Sequence, residues 1–166
     1  LDLAMRRLTE GKSPCDFEGR LAAVGKADEG CLRRWLRHPF FRAKPPKSTG
    51  RELFGERFLA RVLAEFEARQ LAWLCLPATL TEFTARSLAL NYRLHLPAPP
   101  DRVVLCGGGV HNLTLCAAIR REVWALNPHA EVLPSDALGW PTKAIEAAAF
   151  ALLAWRRWHG LPGNLP

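Results

Sequence analysis

Arg102-Val103-Val104-Leu105-Cys106-Gly107-Gly108-Gly109-Val110-His111-Asn112 carries the strongest signal in the chain. Its first residues form a short apolar, β-branched run bounded by Asp101 and by three glycines, the composition of a strand buried on both faces. The glycines remove the Cβ atoms that would hold a ligand off the backbone. A helix expected from residue 112 adds unpaired N–H groups and the positive end of its dipole, which suit phosphate or ribose oxygens. Asn112 then serves as the helix cap or as a hydrogen-bonding group for a ligand. A tight strand-to-helix turn using glycine only for positive φ has the same spacing, and spacing alone leaves both readings open. The pattern is not G-x-G-x-x-G, because the third glycine is misplaced, and no Gly-Lys-Ser/Thr follows to make a Walker loop.

Downstream, Leu113, Leu115, Ala118, Ile119, Val123 and Leu126 recur at helical spacing, and Glu131-Val132-Leu133-Pro134 reads as a second strand. Residues 142–159 read as a last helix with Pro141 in its first turn, and the tail 160–166 as loop. The apolar run 147–155 is too short to span a bilayer and reads as a buried helix. Residues 101–160 therefore form one strand–glycine turn–helix–strand–helix unit.

Upstream, residues 1–100 are mostly helical. Helices are expected over 1–10, stopped by Gly11 and Pro14, and over 18–36, broken at His38-Pro39. A third, over 52–71, sets Leu53, Phe54, Phe58, Val62 and Phe66 against a face of Glu56, Arg57, Arg61 and Glu65. Pro77 opens the next unit, with a helix from Thr81 to about residue 94. Residues 42–50, with Pro45 and Pro46, form a rigid loop. Because residues 1–10 enter directly on a helical pattern, the chain is expected to begin inside an element whose upstream partners lie outside it. The fold class is α/β and helix-rich, one segment over 1–166.

Two further features bear on chemistry. In Lys44-Pro45-Pro46-Lys47-Ser48-Thr49-Gly50-Arg51-Glu52, Lys47 and Arg51 beside hydroxyl donors suit an anion. The same residues make a helix start with Ser48 or Thr49 as N-cap and Glu52 completing a capping box, the commoner use. Glu146 lies in the otherwise apolar run 144–154, where a carboxylate needs a partner, a cleft, or water at the helix start.

The formal net charge of +7 admits a polyanionic partner. The basic residues are dispersed, in Arg6/Arg7, Arg33/Arg34/Arg37, Arg120/Arg121 and Arg156/Arg157, the usual pattern of solvated helix faces. The aromatics sit in apolar helical patterns rather than among cations, which disfavours nucleic acid. Five widely spaced cysteines without a C-x-x-C pair argue against a disulfide framework or a zinc site.

Three segments, 45–54, 104–112 and 146–166, resemble the anhydro-N-acetylmuramic acid kinase family in order and separation. The resemblance implies an actin-like (ribonuclease H-like) ATPase fold, ATP and Mg²⁺ as cofactors, an anhydro amino sugar as substrate, and a cytoplasmic homodimer that does not enter the membrane. It implies nucleotide contacts at Gly107, Gly108, Gly109 and Asn112. Glu146 falls on the sugar side of the cleft, and Lys47, Ser48, Thr49 and Arg51 at its border. The family is about twice this length. Its Gly-Thr-Ser phosphate loop, the motif carrying the water-activating aspartate and its Asp-Thr-Gly-Pro-Gly-Asn segment have no counterpart here. The chain is thus expected to be a carboxy-terminal part, inactive alone, whose partner is the missing amino-terminal half. The rivals are a related anhydrosugar kinase, such as one for levoglucosan, and a non-catalytic basic binding module.

Overall fold

The structure, a computed structural model, describes residues 1–163; the end of the expected tail, 164–166, lies outside them. Seven helices precede the first strand: α1 (Asp2–Leu8), α2 (Arg20–Val24), α3 (Glu29–Trp35), α4 (Pro39–Arg42), α5 (Arg51–Phe54), α6 (Glu56–Ala68) and α7 (Cys75–His95). Then come β1 (Arg102–Leu105), α8 (Leu113–Trp124), β2 (Glu131–Pro134) and α9 (Ile145–Trp158).

The 21 residues of α7 reach both halves of the chain. Its Leu76, Leu80 and Phe83 join Cys31, Leu32, Trp35, Phe41, Val62 and Phe66 in the core of the helical body. Aromatic rings knit that core: Trp35 meets Phe58 and Phe83 edge-on, and Phe41 stacks on Phe54. Further along α7, Ala85 joins Val103, Leu115, Ala118, Ile119 and Val123 in a second, smaller core beneath the sheet.

The sheet pairs β1 and β2 in parallel, with Val103 opposite Val132 and Val104 opposite Leu133. Both strands lie where their apolar runs place them. The expectation that β1 is buried on both faces is corrected: Val103 is buried by α8, while Val104 on the other face is 41% exposed. Across that open face an apolar groove of about 450 Å³ separates Val104 from Ala148 and Leu152 of α9. No residue of α9 is buried, and Phe150 and Trp158 are 65% and 87% exposed. The reading of 147–155 as a buried helix is therefore overturned. The groove leaves Ala148 and Leu152 apart from Val104, and Phe150 and Trp158 stand mostly in solvent, whereas burial requires two surfaces in contact.

Three helix boundaries also depart from expectation. The stretch 18–36 divides at Gly25, after which Asp28 caps α3 by accepting from the Cys31 N–H at 2.7 Å. The stretch 52–71 breaks at the buried Gly55, where a Cβ would fall 2.0 Å from the Arg51 carbonyl oxygen, so α5 and α6 turn sharply against each other. Helix α7 begins six residues before Thr81, because Pro77 sits in the first turn, where its missing N–H has no intrahelical partner to lose. Thr79 then accepts from the Asp28 N–H and donates to the Cys75 carbonyl, tying α7 to the start of α3. No described helix is long and apolar enough to cross a membrane.

Candidate functional site

At the end of β1 the chain reaches Gly107 with φ 76° and ψ −173°, a backbone conformation essentially confined to glycine. A single 3₁₀ turn follows over Gly108–His111, and Asn112 then opens α8. The glycines thus feed a tight turn placed before the helix, not the helix N-terminus itself. Asn112 is the cap: its Oδ1 accepts from the Leu115 N–H at 2.8 Å. The expected capping role of Asn112 is thus present, through its oxygen.

The turn is pinned from three sides. The Gly107 N–H donates to the Thr142 carbonyl at 3.2 Å, linking it to the segment before α9. The Cys116 thiol donates to the Val110 carbonyl at 3.3 Å, and burial pushes its pKa up, so it remains a neutral donor. Thr114 donates to the Gly19 carbonyl, and Gly19, at φ 75°, brings its backbone against Asn112 so closely that a Cβ would lie 2.2 Å from Oδ1. Sequence gives no signal for Cys116, Thr142 or Gly19 in this role, because each acts through a contact that only the tertiary fold creates.

The mouth of the turn is open. A Cβ at Gly107 or Gly108 meets no atom within 4 Å, and one at Gly109 meets only the Leu115 side chain at 3.6 Å. The N–H groups of Gly108 and Gly109 have no acceptor among the described residues, whereas Val110 donates to the Gly107 carbonyl and Asn112 to that of Gly109. Two adjacent backbone N–H groups are thus left for an incoming acceptor.

Glu146 is exposed in the first turn of α9, four residues along the chain from Thr142. Its carboxylate faces water, where it also complements the helix dipole. The Lys47 loop is elsewhere. Lys47 Nζ donates to the carbonyls of Phe40 and Phe41 at 2.9 and 3.0 Å and lies 3.0 Å from His95 Nε2, at the far end of α7. These contacts tie the Lys47 ammonium to the fold, with two of its protons given to backbone carbonyls. Ser48 and Thr49 do not cap α5; Gly50 is the N-cap, and Glu52 reaches back to the Gly50 N–H at 2.6 Å. Arg51 is exposed and forms no ion pair with a described residue.

Residues 1–166 match the family described as anhydro-N-acetylmuramic acid kinase. The chain belongs to that family. It is similar to proteins named anhydro-N-acetylmuramic acid kinase from Cyanothece sp., 45% identical over 166 residues, and from Synechococcus elongatus, 44% identical over 171. A third, from Synechocystis sp., is 42% identical over 167 residues. These alignments take in all of this chain but only 43%, 43% and 42% of the three relatives. The chain therefore spans less than half the length of the curated anhydro-N-acetylmuramic acid kinases it matches.

Proposed function

We propose that this chain is the carboxy-terminal, nucleotide-side part of an ATP-dependent kinase with the actin-like (ribonuclease H-like) fold. The whole enzyme opens the anhydro ring of 1,6-anhydro-N-acetylmuramate with water and transfers the γ-phosphate of ATP to give N-acetylmuramate 6-phosphate. The observation that carries this reading is the open turn at Gly107, Gly108 and Gly109 with two unpartnered N–H groups. In it, the Gly108 and Gly109 N–H groups donate to nucleotide oxygens. Phosphoryl transfer depends on positioning and charge neutralisation. This chain contributes the positioning of the nucleotide, and Glu146 lines the same cleft toward the sugar.

ATP fits the residues present; Mg²⁺ does not find a site in them. No group of three or more His, Cys, Asp or Glu residues converges among the described residues. The metal is assigned to the nucleotide phosphates and the rest of the kinase. The remaining length of the family, absent from this chain, covers the open sheet face and α9, whose apolar side chains are otherwise exposed. The intact enzyme is read as a cytoplasmic homodimer.

With 1,6-anhydro-N-acetylmuramate, ATP and Mg²⁺, the chain alone gives no sugar phosphate above background. Adding the amino-terminal part of the Cyanothece relative restores product. Gly108→Val projects a side chain into the open mouth and weakens ATP binding by calorimetry at least about tenfold, a loss near 1.4 kcal/mol. Turnover by the chain alone, or unchanged ATP affinity in Gly108→Val, overturns the reading.

A further inference from the structure

A cleft of about 820 Å³ opens among α3, α7, α8 and the segment that follows α4. The chain leaves α7 toward the start of β1 and leaves α8 toward the start of β2, so these helix ends lie at the opposite end of the sheet from the glycine turn. Arg33, Arg37, Arg42, Lys44 and Arg93 all line this hollow.

None of these five cations pairs with a carboxylate among the described residues, although their neighbours do. Arg34 pairs with Glu65, Arg86 with Glu29 and Glu82, and Arg121 with Glu82. The one carboxylate lining the cleft, Glu122, is already engaged by Arg121 and lies 4.0 Å from Arg86. Much of the +7 charge of the chain is therefore concentrated and uncompensated in one place.

Arg33, Arg42 and Arg93 stand in the last turns of α3, α4 and α7, where cations offset the helix dipoles. That accounts for one charge at each helix end. It does not account for Arg37 and Lys44, which lie beyond the ends, or for five cations lining the same hollow. The Lys47 contacts supply a reason for the arrangement. By joining the Phe40 and Phe41 carbonyls to His95, Lys47 fastens the strap bearing Arg42 and Lys44 to the end of α7. The volume is that of a small-molecule site, and Leu36, Ala89 and Leu90 give it an apolar component. A nucleic acid would call for a long basic stripe instead.

We propose that this cleft binds a compact, multiply phosphorylated small molecule, at a site separate from the glycine turn. Calorimetric titration of the 166-residue chain with inorganic tripolyphosphate tests it. Arg37→Glu/Arg42→Glu lowers affinity at least about thirtyfold, and Arg37→Gln/Arg42→Gln, which removes charge without adding repulsion, lowers it about tenfold. Arg6→Gln/Arg7→Gln, which removes the same charge from exposed positions on α1 outside this cleft, leaves it within about twofold. The glutamine pair supports or overturns the proposal if the glutamate pair does not fold. Absence of tripolyphosphate binding at millimolar concentration overturns it, as does binding indifferent to either double variant. Displacement of tripolyphosphate by a tighter-binding duplex DNA also overturns it, in favour of a nucleic-acid surface.

Discussion

Helix α7 gives Leu76, Leu80 and Phe83 to the aromatic core of the helical body and Ala85 and Leu88 to the core beneath the sheet, and the two regions end in opposite states of closure. In the body, Leu32, Phe66 and Leu76 are fully buried, and every large aromatic in the α3–α6 layer meets another ring. In the α/β unit, α8 covers one side of two strands while Val104, Phe150 and Trp158 face solvent. Apolar content does not separate the regions, since α9 is as apolar as the body helices. The difference is whether the chain supplies a facing layer.

The largest expected effect breaks the comparison if it fails. Phe66→Ala empties a site packed on all sides and lowers unfolding free energy by about 3–5 kcal/mol. Trp158→Ala removes a side chain that already lies in water and changes it by less than about 0.5 kcal/mol. Urea denaturation followed by circular dichroism measures both. A comparable loss from the two would mean that α9 is packed in solution and that the halves close alike.

The same contrast explains what was legible in the sequence. The strands at 102–105 and 131–134 and the helix after Asn112 follow from short-range signals that tertiary packing reinforces, so pattern reading places them. The breaks at Gly25 and Gly55 are invisible to apolar periodicity, which continues across both. Pro77 reads as a boundary although a first-turn proline is compatible with helix. Apolarity in α9 reads as burial because sequence cannot say whether a second surface is present. At the site, strand–turn–helix order is readable from the glycines. The free N–H groups of Gly108 and Gly109 are not, nor is the capture of Lys47 by His95, a contact across 48 residues.

A smaller effect sharpens the contrast within the glycine turn. Gly107 occupies a backbone region that a Cβ disfavours, whereas Gly108 does not have positive φ and has open space around it. Gly107→Ala is expected to cost about 1–3 kcal/mol of stability. Gly108→Ala costs under about 0.5 kcal/mol, so the two glycines separate structural need from access to a ligand. Equal losses in thermal denaturation would mean that Gly108 is held by the fold and not kept open for an incoming group.

The smallest effect compares the two helix caps, one in each region. Asp28 caps α3 and also receives Arg69 Nη1 at 2.7 Å; Asn112 caps α8 with a neutral oxygen. The Arg69 hydrogen bond, with the Cys31 N–H, holds the Asp28 carboxyl down to about 2. A carboxylate depressed on folding stabilises the native state above its ordinary pKa near 3.9, and that contribution is lost as pH falls through the folded value. Asp28→Ala and Asn112→Ala should each cost about 1 kcal/mol at pH 7. Lowering the pH from 5 toward 2 shrinks the penalty of Asp28→Ala progressively, because the wild type loses what the variant already lacks, while the penalty of Asn112→Ala stays constant. Denaturant midpoints at pH 7, 4 and 2.5 distinguish the two. A pH-independent Asp28→Ala penalty would assign its value to cap geometry alone and leave Arg69 no part in stitching α3 to the end of α6.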